Sequence, residues 1–94
     1  MLTFEEAQDK AQSHLAELCR EFGRDDLVLN QQFISTYPCG WVFPYNTKRY
    51  LETHFPLDGL VGNRPMFVDK ENGSVHIIPT GSIERWIDEY SAQT

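Results

Sequence analysis

Cys39, His76 and either Asp69 or Asn63 are the residue types from which a cysteine hydrolase is built. In such an enzyme an imidazole takes the proton of the thiol, and a carboxylate or an amide orients the imidazole. The nucleophile usually lies at the start of a helix, where the helix dipole lowers the pKa of the thiol. Here the cysteine lies in a Pro-Cys-Gly turn, directly before a predicted strand. A hydrolase centred on Cys39 is therefore less favoured than the two non-enzymatic hypotheses given at the end of this section.

No other catalytic or metal-binding motif is present in the sequence. The two cysteines form no Cys-x-x-Cys pair, the three histidines lack the spacing of metal ligands on one helix, and the six glycines form no phosphate-binding loop. Glu52 and Asp58 are of the residue type that forms the carboxylate pair of a hydrolase. Solvated carboxylates are, however, far commoner than catalytic ones. We therefore expect a protein without catalytic residues, metal or cofactor, and so not an enzyme.

Length and charge limit the remaining functions. The 94 residues correspond to a single domain, residues 1–94, and 40% of them are hydrophobic, which is enough for one core. Eight basic against fourteen acidic residues give a net charge of −6, which argues against a nucleic-acid-binding protein. No apolar run approaches the ~18 residues that span a membrane, and the amino-terminal segment is too acidic for an export signal. We expect a cytoplasmic protein that contacts neither nucleic acid nor membrane.

Hydrophobic periodicity predicts a helix near each end of the chain. Apolar residues recur at helical spacing over 4–22, with Thr3 as the amino-terminal cap and Gly23 as the residue that ends the helix. Ser82 is a good cap for a second, shorter helix. The apolar stripes consist of Phe4, Ala7, Ala11, Leu15, Leu18 and Phe22 in the first helix and of Ile83, Trp86, Ile87 and Tyr90 in the second.

The chain between these helices has the alternation and the turn residues of a β-sheet. The predicted strands are 27–34, with a polar middle or a bulge at 30–32, and 41–45, 49–53, 66–68 and 75–78. Pro44 cannot donate a ladder hydrogen bond, so its strand is an edge, is bulged or ends there. Residues 54–63 are a predicted loop with one helical turn at 57–60. Hairpin-length connections predict an α+β two-layer sandwich, with a four- to five-stranded, mainly antiparallel sheet and both helices on one face.

Six short motifs, each weakly specific alone, together cover nearly the whole chain. They are Leu2–Ala7, Gly40–Phe43, Arg49–Thr53, Gly62–Pro65, Val68–His76 and Ile83–Ile87. In order and spacing this set resembles the YrhB-like domain, also named immunity protein 35. The resemblance implies a small α+β domain encoded beside a bacterial polymorphic toxin, where it protects the producing cell. One branch of that family has been linked to chaperone-like behaviour, and no catalytic residues come with the resemblance.

The chain departs from the family pattern at two places. Pro44 stands where an aromatic or aliphatic residue is usual, and His54-Phe55 stands where Gly-Asp commonly follows the Glu-Thr pair. The loop after Thr53 is therefore individual to this chain. Because binding residues are often carried on variable loops, we expect partner specificity to lie there.

The leading hypothesis is an immunity protein that binds and neutralises a cognate toxin, encoded by the adjacent gene, through direct protein–protein contact. Trp41 is more often a core residue at such a strand position, and otherwise it anchors an interface. The alternative is a chaperone-like domain that binds exposed apolar surface of client proteins. The sequence leaves the choice between monomer and dimer open. The candidate toxin-binding residues are Trp41, Tyr45, Glu52, Asp58 and Arg64.

Overall fold

In a computed structural model, a helix lies near each end of the chain, and the segment between them contains strands and short helical segments. The structure describes residues 1–55, 57, 59, 64–79 and 81–93. The helices are α1 (Phe4–Phe22), α2 (Lys48–Thr53) and α3 (Ile83–Ala92), and a 3₁₀ turn spans Gln31–Phe33. The strands are β1 (Leu27–Leu29), β2 (Ser35–Tyr37), β3 (Gly40–Phe43), β4 (Tyr45–Thr47), β5 (Met66–Asp69) and β6 (Val75–Ile77). Among the described helices, none combines the length and the apolar character needed to cross a membrane.

Helix α1 forms with the predicted bounds and caps. The Glu6 amide donates to Thr3 Oγ1 at 3.2 Å, and the Thr3 amide donates to Glu6 Oε1 at 2.9 Å, which completes a capping box. Gly23 ends the helix in the left-handed conformation, with φ of 66°. The Glu6 carboxylate accepts hydrogen bonds from the backbone and the side chain of Thr3, which lower its pKa. The predicted helix and both of its ends are therefore confirmed.

Two antiparallel sheets divide the strands. The four-stranded sheet has the order β2-β3-β5-β6, while β1 and β4 form a separate two-stranded sheet. In the larger sheet Gly40 lies opposite Asp69, and Phe43 lies opposite Met66. Pro44 stands at the point where β3 ends and the chain passes into the smaller sheet. Of the three outcomes expected for a strand containing Pro44, the structure therefore selects termination.

The two faces of the four-stranded sheet carry different cores, because side chains alternate across a strand. On one face α1 packs with Ala7, Ala11 and Leu15 against a cluster that includes Phe43 and Val68. The other core contains Val42, Phe67, Ile78 and Ile87, with Ile83, Trp86 and Tyr90 of α3 packed against it. The α+β class, the antiparallel pairing and both terminal helices are thus confirmed. The placement of both helices on one face was wrong, since α3 covers the opposite face as a third layer.

Two predicted strands differ from the structure. Residues 49–53 belong to helix α2, because Thr47 Oγ1 accepts the Tyr50 amide at 3.0 Å and thereby caps a helical turn. The segment 27–34 is broken by the 3₁₀ turn, so only Leu27–Leu29 of it forms a strand. The helical turn expected at 57–60 falls largely outside the described residues.

Candidate protein-binding surface

Exposed apolar side chains follow α2 directly. Phe55 is 54% exposed and Leu57 is 85% exposed, which is unusual for large hydrophobic side chains. Glu52 and His54 lie beside them in the chain and are exposed as well. We name these four residues, Glu52, His54, Phe55 and Leu57, the α2 loop surface. It combines apolar area with polar groups, as protein-binding surfaces do.

Two residues that follow α2, His54 and Gly59, lie against the Tyr50 ring. The His54 ring lies 6.1 Å from the Tyr50 ring, centroid to centroid, at an edge-on angle of 66°. From the other side Gly59 approaches so closely that a Cβ there would lie 2.6 Å from Tyr50 Cδ1. The Phe55 amide donates to Thr53 Oγ1 at 3.1 Å, which fixes the start of the loop. His54 and Gly59 therefore both lie against Tyr50, while Leu57 is 85% exposed to solvent.

His54 is the residue that ends α2, and its backbone is left-handed. Its φ and ψ are 58° and 21°, close to the 66° and 34° of Gly23 at the end of α1. Within the described ranges it is the one non-glycine residue with positive φ. For a residue with a Cβ this conformation costs about 1–2 kcal/mol relative to a right-handed one. Such local strain is more frequent at functional positions than elsewhere.

An apolar groove lies at the junction of β3 and β4. Its volume is about 290 Å³, and its apolar walls come from the 3₁₀ turn, the β3–β4 junction and the start of α3. Phe33 forms one rim and is 63% exposed, whereas Val42 is buried. The lining residues are Phe33, Ser35, Val42, Pro44, Tyr45, Pro65 and Ile83.

Three of the candidate residues predicted from sequence belong to or border the sheets. Tyr45 is only 8% exposed and packs in the core beside α1, while also lining the groove. Burial raises the pKa of Tyr45, and a hydrogen bond with the Arg64 backbone opposes that rise. Trp41 is half-buried and meets the Phe4 ring edge-on at 6.2 Å. The fold thus brings Tyr45 and Arg64 together, while Trp41 packs against the amino-terminal end of α1.

The other two candidates belong to α2 and the segment that follows it. Glu52 is exposed on α2, next to the loop. Asp58 lies outside the described residues. Sequence reasoning placed specificity in this loop but did not select His54, Phe55 or Leu57 individually. A signal for His54 was present, since histidine stands where the resembling family commonly has glycine.

A partly buried polar cluster occupies the α3 side of the β5–β6 hairpin. The Tyr90 hydroxyl donates to Asp69 Oδ2 at 2.5 Å, and the Glu71 amide donates to Asp69 Oδ1 at 2.7 Å. Ser74 Oγ and His76 Nε2 are 2.8 Å apart, and Tyr90 Oη lies 3.4 Å from the same nitrogen. Burial is the largest influence on the pKa of Asp69 and would raise it. The hydrogen bonds outweigh burial, so this pKa lies below its usual 3.8.

This cluster contains two residues that the hydrolase hypothesis would require. Asp69 accepts its side-chain hydrogen bond from Tyr90, and the His76 Nε2 atom faces Ser74 and Tyr90. In the described part of the chain, no hydrogen bond joins the Cys39 thiol to a histidine. Cys39 instead packs against the apolar cluster beneath α3. Across those same residues, no group of three potential metal ligands is found.

Comparison with known proteins gives one family and one curated relative. The family model described as Immunity protein 35 matches residues 5–92. The protein named "Uncharacterized protein YrhB" from Escherichia coli (strain K12) is 28% identical over 91 residues. That alignment covers 96% of this chain and 89% of the relative. No solved structure matches the chain.

Proposed function

Since this chain belongs to the immunity protein 35 family, we propose that it neutralises a cognate bacterial toxin by binding it directly. The match over residues 5–92 confirms the resemblance stated from the sequence. In this proposal the toxin is encoded by the adjacent gene, the two proteins meet in the cytoplasm, and the chain performs no catalysis. The α2 loop surface provides the central contact.

The observation that carries this proposal is the exposure of Phe55 and Leu57 directly after α2. Burying one such side chain contributes about 1.5–3 kcal/mol. Because His54 and Gly59 already lie against Tyr50, these two residues lose less conformational entropy on binding than residues of a free segment would. In many protein interfaces a few well-placed residues supply most of the binding energy.

A stable interface requires a larger contact area than the α2 loop surface alone provides. Specific complexes bury about 800 Å² on each partner, far more than two side chains supply. Glu52 would lie within such an area, and its exposed carboxylate would pair with a basic group of the toxin. Binding of this extent neutralises a toxin either by covering its working surface or by holding it in an inactive conformation.

Substitution of Leu57 tests the proposal. In cells that also express the toxin from the adjacent gene, the unaltered chain should protect growth. Leu57→Asp should weaken the complex about tenfold or more, because a charge replaces a buried apolar anchor. The matched control is Ile77→Asp, which alters an exposed apolar residue of edge strand β6, where charged residues are tolerated. If the toxin kills cells that express the unaltered chain, and the two proteins form no complex on a sizing column, the proposal is contradicted.

The apolar groove favours a second candidate function, a chaperone-like activity. A cavity of about 290 Å³ with Phe33 at its rim has the apolar character to receive a side chain of an unfolded client. This function predicts that the chain slows heat aggregation of unrelated proteins and that Phe33→Asp abolishes the effect. A dedicated toxin inhibitor should give no such protection.

A further inference from the structure

The backbone at the end of α2 does not require a histidine. The capping hydrogen bond at this position is donated by the His54 amide to the Tyr50 carbonyl oxygen at 2.7 Å. Any residue with a backbone N–H can donate it, and glycine adopts the left-handed conformation without steric cost. At the end of α1 the same conformation is in fact occupied by Gly23.

The contacts of the His54 side chain within the protein are few. Its ring meets the edge of Tyr50 at 6.1 Å on an exposed surface, and the residue is solvent-exposed. The His76 ring, by contrast, contacts three aromatic rings, those of Phe67, Trp86 and Tyr90. Packing therefore accounts for His76 but does not account for a strained histidine at position 54.

We infer that His54 is a partner-contacting residue that helps to determine which toxin is bound, an inference that rests on the proposed function. The His54 imidazole contacts the Tyr50 ring on one side only, and Phe55 and Leu57 extend from the same short segment. The partner surface that fits this arrangement has an apolar pocket with a hydrogen-bonding group at its edge. The apolar anchors supply affinity, and the imidazole rejects surfaces without the matching polar group.

The test compares stability with binding in the same variants. His54→Gly should leave the melting temperature unchanged or raise it, because the strain is removed. The same variant should bind the toxin from the adjacent gene at least tenfold more weakly, because the imidazole contact is lost. His54→Asn should bind more tightly than His54→Gly, since asparagine tolerates the left-handed conformation and keeps a hydrogen-bonding side chain.

Gly23→His calibrates the strain in the same molecule. A Cβ at Gly23 meets nothing within 4 Å, so the loss of melting temperature in this variant reports the backbone cost of a left-handed histidine. A His54→Gly variant that binds the toxin within twofold of the unaltered chain would overturn the inference. A His54→Gly variant that melts as far below the unaltered chain as Gly23→His would overturn it too, because His54 would then be structural. In both cases the unaltered chain still binds, whereas its failure to bind would refute the proposed function itself.

Discussion

At the scale of single residues, Asp69 shows how the fold sustains a buried charge. The carboxylate is 4% exposed, and the Tyr90 hydroxyl and the amides of Glu71 and Asn72 all donate to it. Hydrogen bonds to an ionised, buried group are worth more than neutral ones. Tyr90 is 21 positions away in the chain, so this pair joins α3 to the turn after β5. One carboxylate thereby fixes the conformation of the turn and the position of a helix.

We predict that Asp69 makes the stability of the protein depend on pH. Its pKa is lower in the folded state than the usual 3.8, so ionised Asp69 contributes stability that is fully present above about pH 5. That contribution is lost as the pH falls through 3.8 and then through the lower folded value. Urea unfolding of the unaltered chain and of Asp69→Asn between pH 6 and pH 2 measures it. The variant should be less stable at pH 6, and the difference should shrink towards pH 2; a constant difference would contradict the prediction.

At the scale of elements, the pairing of β3 with β5 depends on the absence of a side chain at Gly40. Gly40 begins β3 opposite Asp69, and its Cα faces the Phe67 ring. A Cβ there would clash with the Val68 carbonyl oxygen and would lie 2.8 Å from Phe67 Cζ. Because the Val68 backbone belongs to a central strand, it cannot move away without loss of ladder hydrogen bonds. Close packing of two strands and a ring therefore requires glycine at this position.

Gly40→Ala should accordingly destabilise the protein by more than about 2 kcal/mol, through strain in the β3–β5 ladder. Chemical denaturation at pH 7 measures the change. Gly23→Ala is the control, because it adds the same methyl group where no atom lies within 4 Å and costs only the backbone strain of about 1–2 kcal/mol. Equal losses in the two variants would show that the ladder adapts to the added methyl group.

At the scale of the whole molecule, the terminal helices enclose the larger sheet from both sides. Helix α1 covers one face with small residues such as Ala7 and Ala11, which let it approach closely. Helix α3 covers the other face with larger side chains, and its Trp86 and Tyr90 rings stack at 5.2 Å. Apolar residues of adjacent sheet positions, such as Val42 and Phe43, can both be buried only because both faces are covered.

The third layer is expected to carry a large share of the stability. Ile87 is 4% exposed between α3 and the sheet, so Ile87→Ala should cost about 2–4 kcal/mol through lost burial and a cavity. Thermal and chemical unfolding measure the loss. Ile77→Ala is the matched control on β6, since Ile77 is 42% exposed and should lose far less. A comparable effect of the two substitutions would mean that α3 is not part of the cooperative core.

Local signals in the sequence determined α1 with its caps, the break at Pro44 and the β5–β6 hairpin, because each depends on neighbouring residues. The left-handed Gly73, with φ of 72°, closes that hairpin turn. Residues 49–53, predicted as a strand, are helical in the structure. The Thr47 cap that makes them helical is a single residue whose effect depends on how β4 ends.

What only the tertiary structure decided is which surfaces meet. The apolar stripe of α3 fits either face of a sheet, and its side was fixed by the contacts of Phe67 with Trp86 and Tyr90. The left-handed backbone of His54 and the exposure of Phe55 and Leu57 are likewise features of the tertiary structure, in which His54 and Gly59 both lie against Tyr50. Periodicity in a sequence specifies that a residue is to be buried, whereas the partner that buries it is specified by long-range packing.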